Sequence, residues 1–165
     1  MSAVIRRKSK KVGTSAKSAR NSGVKKDGTP KKLTKKQEKK IIKDLEEDLR
    51  KICSRITSIR WGGRCGVCGL AGTAAHHYFG TGACSTLRFT IDNLVWLCFT
   101  CHIVDYHRRG ITEPVRRAMV GKIGEDRFEE LYRLAFRPKK DPTIEELTRL
   151  KEALSIQLEN LGSAT

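Results

Sequence analysis

Apolar residues recur at Ile42, Leu45, Leu49, Ile52, Ile56 and Ile59, with gaps of three, four, three, four and three positions. That rhythm places them along one stripe of an α-helix. Thr34-Lys-Lys-Gln stands just ahead of the run and has the form of a capping box, in which the threonine and glutamine side chains each satisfy an orphan backbone donor. The pattern predicts one long helix over residues 34–62, ending at Trp61-Gly62-Gly63. So regular a stripe can be the seam of a coiled-coil homodimer. More often it is the face a helix lays on its own domain, and that reading is favoured. Cys53 falls on the same seam and reads as a packing residue.

A second helical stretch opens at Thr112-Glu113-Pro114, is interrupted by Gly121 and Gly124, and resumes over Glu125–Phe136. Pro138 breaks it, and Asp141-Pro142-Thr143 followed by Glu146 forms another capping box. Leu147, Leu150, Leu154, Leu158 and Leu161 then give a last amphipathic helix. Residues 64–110 have no helical periodicity, yet they hold all four histidines and two C-x-x-C pairs. The chain therefore divides into an arm (1–33), a long helix (34–62), a chemical core (63–110) and a C-terminal helical region (111–165), without internal repeats.

Charge changes the picture at the N-terminal end. The 165 residues carry 34 Lys+Arg against 18 Asp+Glu, a net charge of +16. Residues 1–33 contribute +10 of it, through eleven positives that include Arg6, Arg7, Lys8, Lys10 and Lys11, against the single acid Asp27. Rich in Lys, Ser and Gly, this arm cannot bury enough apolar surface to offset its ordering entropy, so it is expected to be disordered alone. Its chemistry suits a polyanion, and a solvated tail with no dedicated partner is the plainer alternative. Hydrophobic residues at 38% and aromatics at 6% allow one small core and exclude a large multi-domain enzyme. There is no apolar run of membrane-spanning length, about 18 residues, and no secretory signal, so an intracellular protein is expected.

In that compartment thiols stay reduced, and the six cysteines are better read as metal ligands than as disulfides. Cys65-Gly-Val-Cys68-Gly and Cys98-Phe-Thr-Cys101-His are separated by 29 residues. Two residues between cysteines let a tight turn aim both sulfurs at one ion, and Gly66 and Gly69 permit such a turn. Four thiolates would close a tetrahedral zinc site with no position open to substrate, which makes this zinc structural. Reduced core cysteines at accidental spacing, or redox C-x-x-C units, are weaker readings, since no βαβ pattern surrounds either pair. Cys84 lies in a loop and stays unassigned.

Between the knuckles come Ala75-His76-His77-Tyr78, Leu87-Arg88-Phe89 and Asp92-Asn93, leading into Cys98 and His102. In these residues the chain resembles the HNH endonuclease family over residues 64–107, and in particular its phage-type members, a wider group that includes the NinG-like recombination nucleases. The resemblance implies an α+β fold: a small zinc-stabilised ββα-metal (treble-clef-like) core flanked by long amphipathic helices. It implies that His77 is the general base and that His76 and His102 are ligands of a catalytic metal. Asn93 would organise the loop and orient the base. Arg88 is a phosphate clamp on this view, with a salt bridge to Asp92 as the competing role. The implied activity is metal-dependent hydrolysis of DNA phosphodiester bonds in the cytoplasm of a bacterial host, alongside phage recombination or packaging proteins. A non-catalytic zinc-stabilised nucleic-acid-binding module is the first alternative, and an assembly or packaging accessory built on its helices is another.

One position departs from the family pattern. A second helix histidine is expected four residues after His102, where Tyr106 stands, and the histidine falls instead at His107. On a regular α-helix five residues turn through about 500°, leaving His107 roughly 140° away from His102. Either the helix is distorted, or Asp105 substitutes, or the metal has two protein ligands only. Imidazoles without a carboxylate suit Mn²⁺, Ni²⁺ or Zn²⁺ better than Mg²⁺, so the ion stays open.

The arm makes the first prediction. Removing residues 1–33 should weaken DNA binding on every sequence and make the plot of log affinity against log salt shallower by several units, since each phosphate contact contributes about 0.9 to the slope. An unchanged slope in a filter-binding salt titration would assign the arm to something other than DNA.

Overall fold

The computed structural model describes residues 33–80, 87–137 and 141–163. The expectations for the arm, including Arg6, Arg7, Lys8, Lys10 and Lys11, and for Cys84 and Pro138 lie outside the described residues. Helix α1 runs Lys35–Arg60. Thr34 caps it: its hydroxyl oxygen accepts from the Gln37 backbone N–H at 3.3 Å, while Gln37 Oε1 accepts from the Thr34 N–H at 2.9 Å. At the other end Gly62 and Gly63 take φ of +60° and +67°, which stops the helix where the sequence predicts.

Strands β1 (Ala74–His77) and β2 (Leu94–Leu97) form an antiparallel pair with His76 opposite Val95 and His77 opposite Leu94. A single 3₁₀ turn, Ile91–Asn93, feeds β2. A π-helix, Thr100–Arg108, leaves it. Helices α2 (Glu113–Ile123), α3 (Glu125–Ala135) and α4 (Ile144–Gly162) follow. Gly124, with φ of +84°, separates α2 from α3, whereas Gly121 lies inside α2 and does not interrupt it. The second capping box forms as read, with Thr143 accepting from the Glu146 N–H.

Two apolar cores lie on either side of the hairpin, and the twofold alternation of β2 supplies both. Val95 and Leu97 join Cys65, Leu87, Cys101, Val115, Met119, Phe128 and Leu131. Leu94 joins Leu49, Cys53, Ile56, Phe89, Ile91, Leu147 and Leu154. Leu49, Cys53 and Ile56 of the α1 stripe thus pack with Leu147 and Leu154 of α4 in the same chain, while Ile59 stays exposed. Cys53 packs there, and burial pushes its thiol up to about 11. Thr57 is buried on the same face because its hydroxyl donates to the Cys53 carbonyl at 2.7 Å. Polar ties brace the assembly. Asp92 accepts from Arg60 of α1 at 2.6 Å and from Arg127 of α3 at 2.8 Å, and Lys151 of α4 donates to Asp48 of α1 at 2.6 Å. Among the described residues no helix is long and apolar enough to cross a membrane.

Truncating the seam should therefore be expensive within one chain. Leu49→Ala and Leu154→Ala should each cost about 2–5 kcal/mol in urea unfolding. Ile156→Ala, on the 59% exposed face of α4, should stay within about 0.5 kcal/mol. If the stripe were instead a dimer seam, the unfolding midpoints would move with protein concentration.

Candidate metal centres

The first knuckle sits between α1 and β1. The Cys65 N–H donates to the Leu70 carbonyl at 2.7 Å and the Gly69 N–H to the Cys65 carbonyl at 2.9 Å, folding the chain back so that Arg64 bridges to Ala71. Gly69 holds φ of +75°, and a β-carbon on Gly66 would lie 2.5 Å from the Trp61 ring. Gly69 is thus required by the turn and Gly66 by the close approach of Trp61. The second knuckle forms where β2 passes into the π-helix, with the Cys101 N–H pointing at Cys98 Sγ at 3.5 Å.

The two turns bring the sulfurs of Cys65, Cys68, Cys98 and Cys101 within 4.8 Å of one another, and Cys68 and Cys98 lie 3.7 Å apart. A tetrahedron with Zn–S of about 2.3 Å has edges of about 3.8 Å, so the four cysteines can hold a structural zinc. Burial works against ionising Cys65, but the N–H groups of Cys68, Cys98 and Val67 outweigh it and bring this thiol down to about 7. Cys101 is pushed up, by burial first and then by its three sulfur neighbours. A divalent ion would favour the thiolate form of all four cysteines.

A second cluster lies on the helical face of β1. His76, His102 and His107 present ring nitrogens within 4.8 Å of one another. Their ring centroids are 4.7 Å apart for His76–His102, 5.2 Å for His76–His107 and 5.1 Å for His102–His107. The α-helical phase argument fails because Thr100–Arg108 winds as a π-helix: the Arg109 N–H donates to the Val104 carbonyl five residues back, at 3.1 Å. In i→i+5 winding, residues five apart share a face. His107 takes the place that Tyr106 does not supply. Of the three ways around the misplaced histidine, the structure adopts helix distortion. Asp105 is outside the cluster; its carboxylate accepts from Arg109 at 3.2 Å.

His76 is buried, and its Nε2 has no hydrogen-bond partner. Burial foremost, then His102, His107 and His77, hold its pKa down to about 3. Burial and His107 lower His102 in the same direction. Neutral imidazoles with an orphaned buried nitrogen have the donor chemistry of a transition-metal site. Tyr106 completes the surroundings: its ring stands 4.3 Å from that of His76, edge-on, and its hydroxyl donates to the Tyr78 carbonyl at 3.3 Å. Sequence reasoning treated this position only as a missing ligand, and the signal for its bracing role is the tertiary approach of two distant segments.

Neighbouring His77 projects to the opposite face of β1, as strand geometry requires. Its Nε2 lies 2.7 Å from the Arg88 carbonyl, and the side chain borders a cavity of about 290 Å³ that also meets Arg50, Cys53 and Ser54 of α1. Burial lowers its pKa, while the Arg88 carbonyl raises it. His76 and His77 therefore stand on opposite sides of β1. Asn93 is fully buried; its Oδ1 accepts from the Phe79 N–H at 2.8 Å, and its Nδ2 donates to the carbonyls of Phe79 at 3.0 Å and Leu87 at 3.2 Å. It fixes both shoulders of the loop, one residue away from the carbonyl that holds His77. Arg88 pairs with Glu46 of α1 at 2.5 Å, because Asp92, its expected partner, is taken by Arg60 and Arg127.

A family model described as Bacteriophage Lambda NinG protein matches residues 1–163 of the chain. No curated protein and no solved structure matches it.

Cys65→Ser and Cys101→Ser should each lose bound zinc and cooperative folding together, because one missing thiolate opens the tetrahedron. His77→Ala should keep both. Zinc stoichiometry by elemental analysis and far-UV circular dichroism read the outcome, and a folded serine variant retaining one equivalent of zinc would overturn the structural assignment.

Proposed function

The chain belongs to the family of the bacteriophage lambda NinG protein, and from that premise we propose that it is a metal-dependent endonuclease hydrolysing phosphodiester bonds in DNA. The observation that carries the proposal is the convergence of His76, His102 and His107 on one face of β1, with the tethered ring of His77 next along the strand on the other face. Since the partner of His77 Nε2 is a carbonyl, that nitrogen carries the proton and donates. Nδ1 is left as the lone pair that can accept a proton from water, and the carbonyl raises its basicity. Burial keeps the ring neutral at physiological pH, as a general base must be.

His76, His102 and His107 would hold the divalent cation, and three imidazoles favour Mn²⁺, Ni²⁺ or Zn²⁺ over Mg²⁺. When bound, such an ion supplies charge neutralisation at the phosphate and at the leaving oxygen. Asn93 acts as a positioning residue, since it is sealed from solvent and works by holding Phe79 and Leu87. Arg88 offers a guanidinium beside the base, with Glu46 setting its position. The basic balance of the chain suits the polyanionic substrate. Action in the host cytoplasm beside phage recombination or packaging proteins fits the same reading.

One observation favours a second reading, a zinc-stabilised nucleic-acid-binding module without catalysis: His77 faces the side of β1 opposite the histidine cluster. Base and cation can serve one phosphodiester only if it lies over the end of the strand, at Tyr78–Gly80.

Supercoiled plasmid and a four-way junction, incubated with Mg²⁺, Mn²⁺ or Ni²⁺ and with EDTA as control, separate the two. Wild type should cut. His77→Ala should lose about 10²–10⁴ in rate yet still bind the ion, while His102→Ala and His107→Ala lose both and Asp105→Ala keeps both. Cleavage that survives His77→Ala would end the proposed mechanism, and tight DNA binding without cleavage under every ion would leave the binding module.

A further inference from the structure

Four aromatic rings run in a line from the end of β1 to the surface of α3. Tyr78, next to His77, meets Phe79 edge-on at 5.0 Å; Phe79 lies 6.1 Å from Tyr132, and Tyr132 lies 4.9 Å from Phe136. The inner rings are partly buried against Phe128 at 5.3 and 5.7 Å, so they belong to the core. The outer two do not: Tyr132 is 48% and Phe136 72% exposed. Two large aromatic faces in contact with each other and open to water mark an interaction surface.

The charge around them selects the occupant. The carboxylates of α3 are Glu125, Asp126, Glu129 and Glu130; Glu125 pairs with Arg116 and Glu130 with Arg127, and none of the four stands beyond Tyr132. The residues that follow Tyr132 and Phe136 are Arg133 and Arg137, both exposed, and neither guanidinium has a carboxylate partner among the described residues. An apolar protein groove would cover the rings and leave these charges unmatched. A single-stranded nucleic acid presents both π-faces for the rings and phosphates for the guanidiniums.

We propose that Tyr132 and Phe136 form a stacking platform for unpaired nucleobases, with Arg133 and Arg137 holding the adjoining phosphates. The platform deepens the nuclease reading by giving its substrate an unpaired segment, and it rests on that reading for its purpose. Its position relative to the candidate site is set by Asn93, which bonds both the N–H and the carbonyl of Phe79. Unpaired bases stacked on α3 are thereby registered to the strand end that carries His76 and His77.

Fluorescence anisotropy of the full zinc-loaded chain, at fixed salt and without added divalent ion, tests the platform apart from cleavage. The probes are a labelled oligothymidylate of about twelve nucleotides, within the usual site sizes, and a duplex of the same length. Tyr132→Ala and Phe136→Ala should each weaken oligothymidylate binding about 5- to 150-fold and leave duplex binding within about twofold. Tyr132→Phe should restore wild-type affinity, since the ring is kept, and unchanged melting curves would show that the variants fold. Equal losses on single strand and duplex, no loss on either, or a wild type that does not bind oligothymidylate would each overturn the platform. So would an alanine variant whose only change is loss of self-association by sedimentation, which would make a second copy the occupant. A wild type that binds oligothymidylate through these rings but cuts no DNA would retain the platform and remove the nuclease.

Discussion

Four cysteine sulfurs meeting at the foot of a two-stranded hairpin are the constraint on which the rest of this structure depends. Strands of four residues make a sheet too small to persist alone in water. Here one knuckle precedes β1 and the other follows β2, so closing the four-sulfur site joins the ends of the hairpin across the 29 residues between the knuckles. At the opposite end Asn93 performs the same task with neutral hydrogen bonds, tying Phe79 to Leu87 from a fully buried position. With both ends held, β2 can send Val95 and Leu97 into one core and Leu94 into the other, and helices from both sides of the sequence pack against a strand whose register is fixed.

That register also divides the chemistry. Adjacent histidines on a strand cannot share a face, so His76 turns to the π-helix while His77 turns to α1 and the Arg88 carbonyl. One ring has a buried nitrogen without a partner, the other a nitrogen bound to a carbonyl. The first is the state a metal ligand needs and the second the state a base needs, which is why the proposed function assigns them so. The candidate site thus straddles the end of β1, and the aromatic line from Tyr78 to Phe136 begins at the same place.

The π-helix shows how a local irregularity can carry a site. Its i→i+5 bonding makes poorer use of the backbone than an α-helix does and is met mostly at functional positions. In this chain it rotates His107 into line with His102, while Tyr106 packs on His76 and holds the Tyr78 carbonyl. A tyrosine that the family pattern would replace with a ligand therefore serves as a brace between strand end and helix.

The sequence by itself determined everything whose physics is local or strictly periodic. The capping boxes at Thr34 and Thr143, the stripes on α1 and α4, the break at Gly124 and the knuckle turn at Gly69 all follow from interactions within a few residues, so each can be read off the chain. The convergence of the two cysteine pairs was legible for a related reason, since their spacing has few other uses. Only the tertiary structure decided the relations among distant segments. Asp92 went to Arg60 and Arg127, and Arg88 to Glu46, because α1 and α3 approach one turn from directions the sequence does not encode locally. His107 entered the cluster because Thr100–Arg108 winds as a π-helix and not with the α-helical phase that periodicity assumes. Gly121 stayed helical in a helix that Val115 and Met119 anchor in the core. Ion-pair partners and burial summed over a helix face are set by the approach of distant segments, and at Gly121 that burial outweighs a local preference of about 1 kcal/mol, which residue-by-residue reading does not show.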